Sequence, residues 1–268
     1  MLYITTALSA EARPLIEHYK LTRIYSLPYT MFENEEIKLV ITGMGMENAM
    51  MATSAFLGYF HPKKDDIFLN IGICAAPKEF SISEAVLAHQ LTCKTPQKEH
   101  SYYPDILFEH NLRESELLCV ETPVQKPLYA PTDMESYGIY KAACRFFDTH
   151  EMLFFKVVSD HFEPLHVNKE LATELIQNHL PSLESIIHSA KYVSKAKPLF
   201  EKEEDHLIEA ISTSLTKSQS DAFYDACCYF KLHYQTDLQK SGITIPQTKL
   251  TKQGRSEYYE QLIKTLTL

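Results

Sequence analysis

Two short segments decide the fold of this 268-residue chain: Thr132-Asp133-Met134-Glu135-Ser136 and Lys156-Val157-Val158-Ser159-Asp160. Each places a carboxylate at a structural junction. Glu135 stands where a loop enters a helical pattern, and Asp160 follows an apolar run, residues 152–158, that is typical of a buried strand. The carboxyl ends of strands in an open α/β sheet border the crevice where ligands bind. Both acids are therefore candidates for a ligand site.

Strand and helix patterns alternate outward from these two segments. Strands are predicted over residues 2–7, 37–42, 67–71, 83–89, 118–124 and 152–158, and helices over residues 10–19, 47–60, 137–147 and 168–188. Residues 94–116 indicate an irregular connection. This alternation predicts an α/β fold of three layers, αβα, with a central mixed or mostly parallel sheet covered on both faces.

A charge-rich stretch from Lys195 to Asp205 marks a predicted domain boundary. Helical patterns follow it over residues 207–215, 219–234 and 256–266. The sequence thus predicts a main domain over residues 1–195 and a helical C-terminal extension over residues 196–268. The extension is either an appendage that packs on the main domain or on a second copy, or a module that recruits a partner.

Composition excludes several classes of protein. With 45% hydrophobic residues the chain can bury a sizeable core, and a formal net charge of -9 argues against a nucleic-acid surface. The N-terminus lacks the basic region of a signal peptide, and no apolar run reaches the roughly 20 residues that cross a bilayer. We therefore expect a soluble, cytoplasmic protein with no membrane partner.

Cysteine and histidine spacing predicts neither a metal site nor a disulfide framework. The six cysteines include no Cys-x-x-Cys pair, and the twelve histidines show no ligand spacing. The segment from Gly43 to Asn48 is similar to a dinucleotide fingerprint, but Asn48 stands where close helix packing requires Gly or Ala. We expect neither a metal nor an organic cofactor.

Five segments in a fixed order resemble the nucleoside phosphorylase and nucleosidase superfamily. The two segments quoted first are similar to its Glu-Met-Glu-Ala and Arg-Ala-Ile-Ser-Asp motifs, and residues 7–11, 42–45 and 70–76 match three further strand-end motifs. By pattern the nearest members are the methylthioadenosine/adenosylhomocysteine nucleosidases and the futalosine hydrolases. The resemblance covers roughly residues 1 to 190 and implies the three-layer fold and a catalytic role for the main domain.

The resemblance implies cleavage of an N-glycosidic bond in a purine-type nucleoside. Such a reaction develops positive charge on the ribose and negative charge on the departing base, so it needs a nucleophile on one side and an acid on the other. By its motif Asp160 would protonate the base, and Glu11 would activate the attacking water. Glu135 would accept hydrogen bonds from the ribose 2'- and 3'-hydroxyls, with Met134 against the sugar.

Further binding residues are implied at the ends of other strands. Gly43 and Gly72 would let backbone approach the ligand closely. Ser159 could orient Asp160, although a serine at a strand end is also a common helix cap. Thr122 is a candidate for the base-binding segment.

The nucleophile is water or phosphate. Phosphorylases of the superfamily carry an arginine and a hydroxyl residue where this chain has Asn70 and Ile73, which favours hydrolysis. Arg13 is a possible phosphate ligand and keeps a phosphate-dependent phosphorylase as the alternative.

Two further expectations follow from the resemblance. The segment of residues 27–32 matches a hairpin that contributes to a subunit interface in relatives, so a homodimer or higher homo-oligomer is expected. The nucleosidase sequence Ser-Ala-Gly-Gly is replaced here by Ile73-Cys74-Ala75-Ala76, which adds bulk beside the ligand. A nucleoside-binding sensor without catalysis is therefore a second alternative.

Overall fold

Apolar runs between Met1 and Ala196 form a mixed sheet, in which ten strands lie within the described residues. The computed structural model describes residues 1–26, 28–94, 99–163, 167–194 and 199–267. The strands are β1 (Leu2–Thr6), β2 (Thr22–Ile24), β3 (Thr30–Glu33), β4 (Ile37–Ile41), β5 (Ile67–Ala75), β6 (Ala85–Lys94), β7 (Glu99–Tyr102), β8 (Arg113–Cys119), β9 (Thr132–Asp133) and β10 (Met152–Asp160). The helices of this unit are α1 (Ser9–His18), α2 (Met46–Phe60), α3 (Ser136–Ala143), α4 (Lys169–Asn178) and α5 (Leu180–Ser194).

The centre of the sheet is parallel, with β1 between β4 and β5 and with β10 beside β5. β6 is antiparallel to β10 and parallel to β8, while the short β9 joins β8 to β5. The strands β5, β10, β6, β8 and β9 therefore close into a ring. Because β1, β4, β5 and β10 are parallel, their carboxyl ends lie at the same edge of the sheet, where this kind of fold binds ligands.

Two hydrophobic cores lie on opposite faces of the sheet. Successive residues of β5 alternate between them, because side chains in a strand point to opposite faces. Leu69 packs in the core that includes Leu15 of α1 and Leu183 of α5, whereas Phe68 packs in the core that includes Phe56 of α2. The mixed sheet with helices on both sides confirms the predicted three-layer α/β fold.

Several predicted boundaries are wrong. The strand predicted over residues 118–124 is β8, which begins at Arg113 and ends at Cys119. The predicted irregular connection of residues 94–116 contains β7 and the start of β8, and residues 95–98 lie outside the described residues. The helix predicted over residues 168–188 is two helices, α4 and α5, with His179 between them.

The hairpin expected near residues 27–32 is formed by β2 and β3, which pair antiparallel; Leu27 lies outside the described residues. Its partly buried Tyr29 and Phe32 pack against the two cores. Within the described residues, no helix is long and apolar enough to cross a membrane.

The second unit, Lys197–Leu268, is helical and has a core of its own. It contains α6 (Lys202–Ser212), α7 (Lys217–Tyr234), α8 (Lys252–Thr267) and a short 3-10 helix, Leu238–Ser241. The buried Glu204 accepts hydrogen bonds from Lys231 Nζ and from the Leu238 amide. This carboxylate thus ties α6 to α7 and to the 3-10 helix. Phe223 and Phe230 of α7 lie in the core of this unit, whereas Tyr224, Tyr229 and Tyr234 of the same helix are exposed.

Candidate active site

A cavity of about 290 Å³ opens at the carboxyl-end edge of the sheet. It brings together five residues that the sequence singled out: Glu11, Met134, Glu135, Ser159 and Asp160. Its apolar wall is formed by Met44, Ile73, Val120, Pro123, Val124 and Val167. A small, largely apolar cavity with a few convergent carboxylates is typical of a small-molecule site.

Glu11 is buried, with 2% of its surface exposed, and lies in the first turn of α1. Its Oε2 accepts hydrogen bonds from the amides of Ala7, at 3.0 Å, and Leu8, at 2.9 Å. Its Oε1 accepts from the Ile73 amide at 3.0 Å. Burial raises the pKa of Glu11 above its ordinary value, although Lys156 and the three amides act in the opposite direction. Glu11 is therefore a fixed carboxylate with enhanced basicity and not a solvated residue of the helix.

Gly72 makes room for Glu11. A Cβ atom at Gly72 would lie 2.9 Å from Glu11 Oε1 and 3.3 Å from Lys156 Nζ. A distance under 3.0 Å is closer than real Cβ atoms come, so any side chain here would displace the carboxylate. Gly72 thus supports the site by leaving space, although neither Gly72 nor Gly43 is among the residues that line the cavity.

Lys156 is a site residue that the sequence analysis did not select. It points from β10 into the sheet edge with 3% of its surface exposed, and its Nζ lies 2.9 Å from Asp133 Oδ2. Burial lowers the pKa of Lys156, but Asp133, Glu135 and Glu11 together raise it above the ordinary lysine value. The side chain is therefore a buried ammonium. A lysine within an otherwise apolar strand was the available signal, because a buried charge needs a partner.

Asp133 is fully engaged by its neighbours. Besides Lys156, it accepts hydrogen bonds from the Ser136 amide at 3.0 Å and from Ser136 Oγ at 2.7 Å. Its position fixes the start of α3 and holds the lysine in place. Asp133 thus supports the site. Of the two carboxylates in the segment of residues 132–136, Glu135 is the one that can contact a ligand.

Glu135 immediately precedes α3, and its Oε1 accepts a hydrogen bond from the Gly45 amide at 2.7 Å. Burial and the neighbouring Asp133 raise the pKa of Glu135 to about 7, against the opposing effects of Lys156 and the Gly45 amide. Gly45 has a positive φ of 89°, which aims its amide at the carboxylate. The second glycine of the segment, and not Gly43, therefore contacts a site residue.

Asp160 ends β10 with 9% of its surface exposed. Its Oδ1 accepts a hydrogen bond from the Glu163 amide at 2.7 Å, and its Oδ2 lies 2.7 Å from Ser159 Oγ. Both oxygens are thus held while the carboxyl group still borders the cavity. Asp160 at the end of β10, Glu11 of α1 and Glu135 immediately before α3 thus line the same cavity.

Two further predicted residues lie outside this cavity. Thr122 is exposed in the loop after β8, and its neighbours Val120, Pro123 and Val124 form the wall instead. Arg13 is exposed on α1, where its Nε donates to Glu17 at 2.8 Å, and it lines a separate open groove of about 690 Å³ beside α4. The groove has no buried charged side chain among its lining residues.

Among the described residues, no group of three or more His, Cys, Asp or Glu side chains is arranged to hold a metal ion. The polar side chains that line the cavity are the carboxylates of Glu11, Asp133, Glu135 and Asp160, the hydroxyls of Thr132 and Ser159 and the thiol of Cys74.

Solved nucleosidase structures share this fold. Among solved structures, the chain is similar to a 5'-methylthioadenosine/S-adenosylhomocysteine nucleosidase from S. pneumoniae, with a TM-score of 0.59 and 16% identity over 70% of this chain and 98% of that one. It is also similar to the futalosine hydrolase of Helicobacter pylori, with a TM-score of 0.58 and 14% identity over 70% and 97%. For the Arabidopsis thaliana 5'-methylthioadenosine nucleosidase the values are 0.57 and 17% over 74% and 96%. No family model and no curated protein matches the sequence.

Proposed function

We propose that the chain is a nucleosidase, which hydrolyses the N-glycosidic bond of a purine-type nucleoside. The observation that carries this proposal is the convergence of buried Glu11, Glu135 and Asp160 on one cavity at the carboxyl ends of parallel strands. The fold of the solved nucleosidases supports it. We assign the reaction to the first unit, residues 1–195 of the predicted domains.

Each carboxyl group has a separate role in the proposed reaction. Asp160 protonates the departing base, so that the electron pair of the breaking C–N bond is taken up by a neutral leaving group. Glu135 binds the ribose hydroxyls, and Met134 packs against the sugar. Glu11 removes a proton from the attacking water, a role that its raised pKa favours.

Lys156 supports the water side of the site. Its ammonium is paired with Asp133 and lies near Glu11 and Glu135, whose pKa values it lowers. It thereby moderates the repulsion between the carboxylates and allows Glu11 to act in its ionised form. Lys156 and Asp133 are accordingly part of the proposed machinery.

The charge of the cavity favours water over phosphate as the nucleophile. Among the described residues around Glu11, the single ammonium of Lys156 faces the carboxylates of Glu11, Asp133 and Glu135. A phosphate dianion entering this surrounding would meet an excess of negative charge. Arg13 lies outside the cavity, which removes the main support for the phosphorylase alternative.

The residues that stand where phosphorylases carry their phosphate ligands also favour water as the nucleophile. Asn70 is buried, and its Nδ2 donates to the oxygens of Thr5 rather than to the cavity. Ile73 presents an apolar side chain to the cavity. Neither residue offers the fork of donors that binds phosphate well.

The apolar wall suits the flat ring of a purine. Val120, Pro123 and Val124 lie on the loop side of the cavity, and Val167 completes the wall near Asp160. The solved relatives act on methylthioadenosine, adenosylhomocysteine and futalosine. We therefore place the substrate among adenine nucleosides with a 5' thioether and futalosine-type nucleosides.

The expected homo-oligomer and cytoplasmic location remain part of the proposal. Residues 196–268 are proposed either to pack on the first unit or its mate in an oligomer, or to recruit a partner. Light scattering of the full chain and of a chain ending at residue 196 separates the two ideas. A truncated chain that keeps its fold and oligomeric state would sink the packing role.

Release of free base from a panel of nucleosides tests the proposed reaction. The panel contains methylthioadenosine, adenosylhomocysteine, inosine and futalosine, each with and without phosphate. Release that is independent of phosphate supports the nucleosidase. Strict dependence on phosphate would make the chain a phosphorylase, and binding of a nucleoside without any release would favour the sensor.

A further inference from the structure

Three carboxyl groups of the candidate active site lie close to one buried ammonium. They belong to Glu11, Asp133 and Glu135, and each of them raises the pKa of Lys156. None of the four residues is more than 9% exposed. Full ionisation would therefore place three negative charges against one positive charge in a buried space. Like charges in such a space favour keeping one carboxyl group neutral.

Hydrogen-bond donors are shared unequally among the three carboxyl groups. Glu11 accepts hydrogen bonds from three backbone amides, which occupy both of its oxygens. Asp133 accepts from the amide and the hydroxyl of Ser136 and pairs with Lys156. Donors stabilise the ionised form of an acid, so Glu11 and Asp133 are held as carboxylates.

Glu135 receives the fewest donors of the three. The Gly45 amide donates to its Oε1 at 2.7 Å, and among the described residues no donor lies on its Oε2. A carboxyl group that is protonated on one oxygen still accepts on the other. The geometry therefore places the proton of the cluster on Glu135 Oε2.

The surroundings of Glu135 agree with this placement. Burial and the charges of Asp133 and Glu11 raise its pKa to about 7, against the opposing effects of Lys156 and the Gly45 amide. Cys119 of β8 also faces this carboxyl group, and burial raises the pKa of its thiol, which is neutral. Asp160 lines the same cavity.

A ribose brings the donors that Glu135 lacks. Its 2'- and 3'-hydroxyls are the groups that the proposed function assigns to this residue. The ionised carboxylate accepts one hydrogen bond on each oxygen, whereas the protonated group has Oε2 occupied by its own proton. Because hydrogen bonds to the ionised form lower the pKa of an acid, a bound diol favours loss of that proton.

We propose that Glu135 holds a proton on Oε2 in the ligand-free protein and releases it when a vicinal diol binds, so that uptake of a ribonucleoside is coupled to the loss of one proton. This inference rests on the proposed function. The Oε2–H bond breaks, its electron pair stays on Oε2, and the proton passes to water and then to the buffer. The departing base takes a different proton, that of Asp160.

The coupling makes affinity for a diol depend on pH. Below about pH 7 the ionised fraction of Glu135 falls by about tenfold per pH unit, and the apparent affinity falls with it. Between about pH 7.5 and about pH 5.5 the Kd of a ribonucleoside is expected to rise roughly 10- to 30-fold. A ligand without the two hydroxyls is expected to change less than about two-fold.

Calorimetric titration of the full chain counts the released protons. The probes are 9-deazaadenosine, whose C–C glycosidic bond water does not cleave, and its 2',3'-dideoxy counterpart. Titration at about pH 6.5 in buffers of different ionisation enthalpy is expected to show roughly 0.5–1 proton more released by the diol. Protons exchanged at the base are common to both ligands and cancel in the difference.

Two variants assign the proton to its residue. Glu135→Gln is expected to reduce the difference between the two ligands to less than about 0.2 proton, because an amide does not titrate in this range. Glu35→Gln changes an exposed glutamate and is the matched control, with the wild-type difference expected. Folding of both variants is checked by circular dichroism.

Infrared spectroscopy observes the same proton without a variant. The C=O stretch of a protonated carboxyl group is expected in the free wild-type protein at about pH 6 and is expected to disappear when 9-deazaadenosine binds. Equal proton release by the two ligands, or a band that binding leaves unchanged, would overturn the inference. Failure of both ligands to bind would instead overturn the nucleoside site of the proposed function.

Discussion

Lys156 Nζ and Asp133 Oδ2 form an ion pair of 2.9 Å in which both side chains are at least 97% buried, the lysine being 3% and the aspartate 1% exposed. Removing one partner of such a pair leaves an uncompensated charge in the interior. Here the charge left behind would stand beside two further carboxylates, Glu11 and Glu135. The Lys156 ammonium therefore offsets the repulsion among Asp133, Glu11 and Glu135 and allows these three carboxyl groups to lie close together.

Lys156→Met is expected to destabilise the protein by about 3–5 kcal/mol, because Asp133 loses its counter-ion. Urea unfolding followed by circular dichroism measures this change. Lys156→Arg keeps the charge and serves as the comparison, with a smaller loss. Equal stability of the methionine variant and the wild type would show that the pair does not hold the site.

Gly72→Ala is expected to lower activity more than ten-fold and to destabilise the protein by about 1–3 kcal/mol, the usual effect of overpacking. The added Cβ would approach Glu11 Oε1 to 2.9 Å. Gly58→Ala is the control, since a Cβ there meets nothing within 4 Å and lies in the helix α2. That variant should be unchanged or slightly more stable; full activity of Gly72→Ala would refute the proposed crowding.

Glu135 makes stability depend on pH in a defined direction. Its folded-state pKa of about 7 lies above the ordinary glutamate value of 4.5, so the folded state holds the proton more tightly. The stabilisation from this group is complete below the unfolded pKa and is lost as pH rises through about 7. The loss is on the order of 3 kcal/mol.

Glu135→Gln removes this titration. Urea unfolding of the variant should change less than that of the wild type between about pH 4.5 and about pH 8. Glu35→Gln alters an exposed residue of the first unit and is the charge-matched control. Parallel pH curves for wild type and Glu135→Gln would show that Glu135 does not carry the proton.

Asp160→Asn is expected to lower kcat by roughly 10²- to 10⁴-fold, the range typical of a lost general acid, while the thermal unfolding midpoint changes little. Base release and circular dichroism measure the two quantities. Asp221→Asn changes an exposed aspartate of α7 and is expected to leave kcat unaltered. A fully active Asp160→Asn protein would remove Asp160 from the mechanism.

The parallel centre of the sheet was predictable because its signals are local. β1, β4 and α2 were expected within one residue of their observed ends, since each has a strong apolar pattern and a clear boundary. Glu11 lies in the helix that follows β1, and Asp160 is the last residue of β10, which also has a strong apolar pattern. Their meeting in one cavity then follows from the parallel order of the strands.

The parts that the sequence did not predict depend on distant partners. β8 is defined by its pairing with β6 and with β9, and β9 is only two residues long, too short to have a recognisable pattern of its own. Thr122 was a candidate because it lies in the segment expected to bind the base, but β8 ends at Cys119 and Thr122 is exposed in the loop that follows. Lys156 was passed over because its need for Asp133 becomes visible only when β9 and β10 both join β5.

The closed ring of β5, β10, β6, β8 and β9 limits how this protein could acquire new substrates. Every strand of the ring has hydrogen-bonded neighbours on both sides, so spreading the strands to enlarge the cavity would break backbone ladders that have no free end. The wall formed by Val120, Pro123 and Val124 lies in a connection between strands, where insertions and changes are tolerated. Sequence changes that alter substrate choice should therefore occur mainly in that connection, whereas the position of the acid at the end of β10 is fixed by the ring.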